Sequence, residues 1–309
     1  MSVSSMPSVS TTFIPKLFNK PFIVVFDLDE CIGSFQFGCL AYHRTQPLME
    51  HKNFPIDDFE FAMEDALENS WIRPGIIHVL KVCMMYRDQN LIKKICLYTN
   101  STDEYNWVTF LVNRINAIAD IESKNIFDVV ISRNSPDRTK IPESDYNKYG
   151  GCQPKFVDDV IRLTQSSADT PVLFYDDRLF NLVPSTTGET TLYCVSAYEK
   201  RKFFIEDHDL FLNFIEDTMP DMADYYLDML YSIPYISGIE KYTDLSEDIK
   251  IPNRLDAYLF EKQTIIEFLS PLLANIISLT DSSGNLTKSP ESLKNRVIAS
   301  INEHLRYLQ

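Results

Sequence analysis

Two aspartates one residue apart close a short apolar run, Phe22-Ile23-Val24-Val25-Phe26-Asp27-Leu28-Asp29. In extended chain alternate side chains share a side, so this spacing puts both carboxylates together. Like charges held that close are costly unless a cation or a proton-transfer role makes use of them. A second pair, Asp176-Asp177, ends another apolar run at residues 171–175. Between the pairs stand a hydroxyl, Thr99, and an amine, Lys155, with Lys140 in the preceding loop a rival for the amine. Singly these residues are ordinary: an Asp-x-Asp after a strand often makes a turn or a cap, and Asp176-Asp177 could be an Asx turn. Their order and placement at strand ends give them weight.

The elements that position them follow from periodicity. Residues 22–26 read as a buried strand, central in a parallel sheet. Ligands of such sheets bind beyond the carboxyl ends of the strands, where Asp27 and Asp29 stand. Further strands are predicted at 94–99, 127–132, 171–175 and 190–196, and helices at 76–87, after Arg73-Pro74-Gly75, and at 155–163. Ser101-Thr102-Asp103-Glu104 reads as a capping box opening a helix with Trp107, Phe110, Leu111 and Ile115 on one face. Strands alternating with helices predict an α/β fold. Residues 1–18 read as a loose tail. Residues 33–70 are less regular, with helical spacing at 57–69. From about 205 the pattern becomes helical, at 211–215, 222–231, 255–268 and 293–308, with breakers such as Pro220, Pro234, Pro252 and Pro290 between.

Composition narrows the function. The chain has 309 residues, 45% apolar, and a formal net charge of -15. That charge argues against direct nucleic-acid binding, and an anionic substrate would need a local positive cluster or a metal. Six scattered cysteines form no CxxC pair, and eight glycines make no GxGxxG loop. The first residues lack the basic-then-apolar pattern of a secretory signal, so an intracellular protein, in cytoplasm or nucleus, is expected. The longest apolar stretch, 265–279, contains Glu267 and Pro271 and reads as a buried helix, with no membrane partner expected.

The ordered set Asp27/Asp29, Thr99, Lys155 and Asp176/Asp177 resembles the haloacid dehalogenase superfamily of phosphotransferases. Asp-Leu-Asp-Glu at 27–30, Arg-Pro-Gly at 73–75, Leu-Tyr-Thr at 97–99 and Asp-Asp-Arg at 176–178 are similar to the phosphatases of the RNA polymerase II C-terminal domain, over residues 20–198. The resemblance implies a doubly wound, Rossmann-type parallel sheet at 19–204 with a small or absent cap (a flap at 33–70) and a helical extension at 205–309, itself a possible surface for a protein partner. It implies Mg²⁺-dependent hydrolysis of phosphoserine or phosphothreonine through an aspartyl-phosphate. Asp27 would be the nucleophile and Asp29 the acid and base. Asp27, Asp29, Asp176 and Asp177 would lie at the metal, Thr99 and Lys155 at the phosphoryl group, and Asn100 and Arg133 at the substrate. Cys31 departs from the family's usual Thr or Val and reads as a small buried residue.

About twenty residues separate Lys155 from Asp176, which leaves no room for an inserted cap there. An open site favours a phosphorylated protein or peptide over a small metabolite. Arg133, Arg138 and Lys140 are expected to form a positive rim for it, and Arg73 to be structural or at the mouth. A small-molecule phosphatase, and an idle domain of the same fold serving as a scaffold, are the alternatives.

Overall fold

In the computed structural model the described residues are 17–35, 38, 39, 42, 43, 67, 71–120, 125–198, 254–281 and 289–306. Nearly all of the expected tail, the helical spacing at 57–69 apart from Leu67, and the expected helices at 211–215 and 222–231 lie outside them.

Strand β1 (Phe22–Phe26) is the middle of a five-stranded sheet. Helix α1 (Ile76–Asp88) leads to β2 (Ile92–Tyr98), and α2 (Trp107–Ile118) to β3 (Val129–Ile131). The chain then crosses β1. A short strand β4 (Lys155–Phe156) and α3 (Val157–Leu163) lead to β5 (Val172–Asp176) on its other side. β6 (Leu182–Val183) pairs with β4, and β7 (Thr190–Cys194) completes the large sheet. The order is β3-β2-β1-β5-β7, and every pairing is parallel. This is an α/β, Rossmann-like arrangement, and its order reverses between β1 and β5.

Alternation along the strands fills both faces. Phe22, Val24 and Phe26 of β1, with Leu173 and Tyr175 of β5, enter a large core shared with α1 and α2. Ile23 and Val25, with Val172 and Phe174, enter a second core with Val157, Val160 and Ile161 of α3. All five β1 side chains are fully buried, which accounts for an apolar run with no polar alternation.

The first core is completed from far along the chain. Helix α4 (Arg254–Thr280) packs on α1 and against α5 (Pro290–Arg306). Its Ile265, Phe268, Leu269, Leu272 and Leu273 are buried among the strand residues. Phe268 lies 5.1 Å from the Tyr175 ring and 6.2 Å from Phe26. The helix expected at 255–268 and the buried helix expected at 265–279 form one element, α4, which runs on through Pro271. Pro271 removes one rung of the helix, from the Glu267 carbonyl. The next carbonyl, of Phe268, takes the Tyr175 hydroxyl at 2.7 Å. By length and composition alone the segment Tyr258–Thr280 could cross a bilayer, and 56% of its most apolar window is buried within the fold.

Arg73 locks α4 in place. Its side chain is 1% exposed and donates to Thr264 Oγ1 (3.1 Å), the Ser196 carbonyl (2.7 Å) and Glu267 Oε2 (2.8 Å). Glu267 in turn accepts from the Ser196 backbone at 2.6 Å. Arg73 is therefore structural and does not stand at the mouth.

Candidate active site

The site lies at the carboxyl ends of β1, β2 and β5, where the strand order reverses. Asp27 follows β1 in the parity of Ile23 and Val25, so it faces the α3 side of the sheet. Its backbone N–H extends the ladder to the Tyr175 carbonyl at 2.9 Å. Asp176 is the last residue of β5 and fully buried. The Lys155 ammonium, also fully buried, sits 2.7 Å from Asp27 Oδ1 and 2.7 Å from Asp176 Oδ2. The contact to Asp176 is an aligned hydrogen bond. The contact to Asp27 is an ion pair without that alignment, and Asp27 Oδ1 accepts no aligned hydrogen bond. Lys155 lies in β4 and does not open the helix expected at 155–163, which begins two residues later at Val157. Lys140 is exposed in the preceding loop, so Lys155 is the amine brought to the carboxylates.

Oxygens of Asp27, Asp176 and Asp177 lie within 4.8 Å of one another. Asp29 stands beside them, its Oδ2 accepting a short hydrogen bond from Ser101 Oγ and its buried Oδ1 unpaired. Four carboxylates thus face one buried ammonium, and the surplus negative charge shows in their titration. Burial, reinforced by Asp176 and opposed by Lys155, pushes Asp27 up to about 8. Burial and the neighbouring Glu30 push Asp177 up to about 7, against Arg178. Burial also raises Asp29, and the Ser101 hydrogen bond holds it back. For Lys155 burial disfavours the ammonium, but Asp27 and Asp176 outweigh it and hold its pKa above the usual lysine range. An all-oxygen donor set with excess negative charge and orphaned carboxylate oxygens suits a hard divalent cation such as Mg²⁺.

Thr99 is fully buried just past β2, its N–H bonded to the Ile131 carbonyl at 2.8 Å and its Oγ1 accepting the Ser101 N–H at 2.9 Å. Cys31 is buried with its thiol toward the Tyr175 carbonyl at 3.7 Å, the small filling residue the sequence suggests. Gly33 closes the loop after Asp29, where any Cβ would come within 2.5 Å of the Trp71 carbonyl.

Three expectations change here. The predicted capping box does not form between Ser101 and Glu104; Asp103 within it accepts the Thr109 N–H of α2 at 2.9 Å instead. Ser101 is taken by Asp29, Tyr105 and Asn106 adopt positive φ, and α2 begins at Trp107. Arg138 is no rim residue: it is 3% exposed, beneath the loops that carry Thr99 and Lys155. Arg133 is exposed and not gathered at the carboxylates. Its backbone N–H holds the Ser101 carbonyl at 2.9 Å, and its side chain, with Thr102, Glu104, Lys140 and Tyr146, lines an adjacent groove of about 400 Å³. Ser101 was legible only as a cap, and Arg138 only as a charge in a polar loop, because their partners lie 72 and 39 residues away.

Fold and site together define a Rossmann-like α/β protein with a buried carboxylate–lysine centre. Compared with known proteins, the chain matches no family model and no curated protein.

Proposed function

We propose that this chain is a Mg²⁺-dependent phosphoprotein phosphatase of the haloacid dehalogenase type, resembling the phosphatases of the RNA polymerase II C-terminal domain. The observation that carries the reading is Lys155 bridging Asp27 and Asp176 at the sheet's switch point, with Asp29 and Asp177 beside them. Phosphate monoesters react through a transition state of dispersed negative charge, so catalysis is mainly positioning and electrostatics.

Asp27, Asp177 and the Asp29 carbonyl, with Asp176 close by, would hold Mg²⁺, whose charge keeps Asp27 ionised and offsets that of the phosphoryl group. Asp27 Oδ1 attacks phosphorus. A bond forms from Oδ1 to phosphorus, and the bond from phosphorus to the seryl or threonyl oxygen breaks. Asp29, raised by burial, gives its proton to that leaving oxygen. It then takes a proton from the water that hydrolyses the aspartyl-phosphate, which returns both carboxylates to their starting state. Ser101 fixes the Asp29 rotamer for this exchange. Lys155 and Thr99 face the phosphoryl oxygens.

The open groove lined by Thr102, next in the chain to the Ser101 that holds Asp29, supports a peptide leaving group. It holds two cations, Arg133 and Lys140, and two carboxylates, Glu104 and Glu143, a mixture suited to peptide side chains of either sign. Its volume is within the range of ligand pockets of about 300–1,000 Å³. Between Lys155 and Asp176 the chain forms only α3 and β5, with no inserted domain. Measuring kcat/KM for phosphopeptides against sugar and nucleotide phosphates, with and without Mg²⁺, tests the reading. Faster turnover of small phosphates would shift it to metabolite hydrolysis, and no turnover of either would leave a scaffold.

A further inference from the structure

Arg138 makes more polar contacts than any surface role requires. Nη1 donates to the Thr99 carbonyl at 2.8 Å. Nη2 donates to Asn100 Oδ1 at 2.5 Å, and to the carbonyls of Gln153 (3.3 Å) and Pro154 (3.2 Å). The guanidinium lies 4.9 Å from the Tyr98 ring centre. Its neighbour Thr139 is pinned from below, with N–H and hydroxyl both donating to Asp159 of α3, at 2.9 and 2.6 Å. Asp159 also accepts the Tyr98 hydroxyl at 2.9 Å. One planar group thus spans two loops: the end of β2, with Thr99 and Asn100, and the two residues that precede Lys155.

A guanidinium has donors only, so the end of the Asn100 amide it holds is the oxygen. The NH₂ end is left as a donor, with no acceptor among the described residues. We infer that Arg138 is a positioning residue that fixes the Asn100 amide with its NH₂ as a donor to a phosphoryl oxygen, and ties the Lys155 loop to the Thr99 loop at one spacing. The inference rests on the phosphatase reading. A lysine at 138 would keep the charge but not the fork that reaches four acceptors at once.

A double-mutant cycle on kcat/KM with a phosphopeptide and Mg²⁺ tests this, using Arg138→Lys, Asn100→Ala and the double variant. Each single change is expected to cost about tenfold to a hundredfold, the worth of a hydrogen bond to a charged group. If Arg138 acts through Asn100, the double variant loses little more than the worse single variant. Losses that multiply, in an enzyme that stays active and folded, would overturn the inference and leave the phosphatase reading standing. Asn100→Asp provides a second arm, since it keeps an oxygen for Arg138 but turns an oxygen toward the phosphate. It should lose more than Asn100→Ala, and activity within about twofold of wild type would overturn the inference even if Arg138→Lys fails to fold. A wild type inactive on every phosphoester would remove both readings.

Discussion

Phe26 and Asp27 are neighbours in the chain, as are Tyr175 and Asp176, yet the two sides of these strand ends are opposites. On one side Phe26 and Tyr175 stack at 5.1 Å, and Phe268 of α4 closes over them. On the other, Asp27 and Asp176 share one ammonium. Both sides are dry, but the aromatic side is satisfied and the acidic side is not. The buried ions repeat the contrast. Arg73 meets one carboxylate and has a further acceptor on each side of it, a closed set that holds α4. Lys155 faces a surplus of carboxylates, a set that a divalent cation can complete. Apolar packing on one side of the sheet holds an unbalanced charge cluster rigid on the other.

Breaking the aromatic side should cost the most stability and the least chemistry. Phe268→Ala is expected to lower unfolding free energy by about 3–5 kcal/mol, read by urea denaturation, with kcat at low temperature nearly unchanged. A parallel fall in kcat would mean the two sides are not separable.

Relieving the acidic side should do the reverse. Asp177→Asn removes one of the crowded carboxylates, so the metal-free protein should gain about 1 kcal/mol at pH 7.5 while losing most of its stabilisation by Mg²⁺. Thermal unfolding with and without Mg²⁺ reads both. A wild type whose Tm ignores Mg²⁺ would count against the metal site.

The groove beyond the acidic side gives a smaller effect. Lys140→Glu should raise KM for an acidic phosphopeptide about fivefold and leave a small aryl phosphate unaffected. Equal shifts for both substrates would remove the groove from substrate binding.

The smallest effect concerns how α5 is held. His78 of α1 and His304 of α5 meet at 3.3 Å, half-buried, with Lys81, Tyr86 and Glu303 around them. Burial lowers both imidazoles. His304 and Lys81 lower His78 further, and Glu303 partly offsets the fall at His304. The unfolded chain therefore takes up protons first, and stability falls as pH drops through about 6.5, the ordinary histidine value. The raised carboxylates Asp27 and Asp177 act in the opposite sense. The test is thus the difference between wild type and His78→Gln/His304→Gln, whose stability should fall less from pH 7.5 to 5.5. Identical pH profiles would remove the pair from α5 docking.

Much of this was written locally in the sequence. The apolar runs of β1 and β5 show their burial, and each ends in acids at the place where parallel sheets bind ligands. Lys155 was legible as an amine, though as the opening residue of a helix that in fact begins at Val157. Residues whose roles depend on distant partners were not legible. Ser101-Thr102-Asp103-Glu104 has the letters of a helix cap, but a carboxylate 72 residues away takes the serine. Pro271 falls in a stretch that reads as a buried helix, but nothing local shows that the carbonyl of Phe268 takes the hydroxyl of Tyr175, 93 residues away. Arg138 looks like a solvated charge until the loops at 99–100 and 153–154 close around it. Strand patterns are periodic and local, whereas side-chain satisfaction is a property of the folded whole.

The central claim is that the crowded carboxylates are a catalytic centre with Asp27 as nucleophile. The most direct measurement is Mg²⁺-dependent phosphopeptide hydrolysis by wild type and by Asp27→Asn, with folding checked by circular dichroism. Wild type should turn over only with Mg²⁺, and Asp27→Asn, folded and at least as stable without metal, should fall by about 10³-fold or more, since an amide at 27 cannot serve as the carboxylate nucleophile. Substantial turnover by folded Asp27→Asn would contradict the claim.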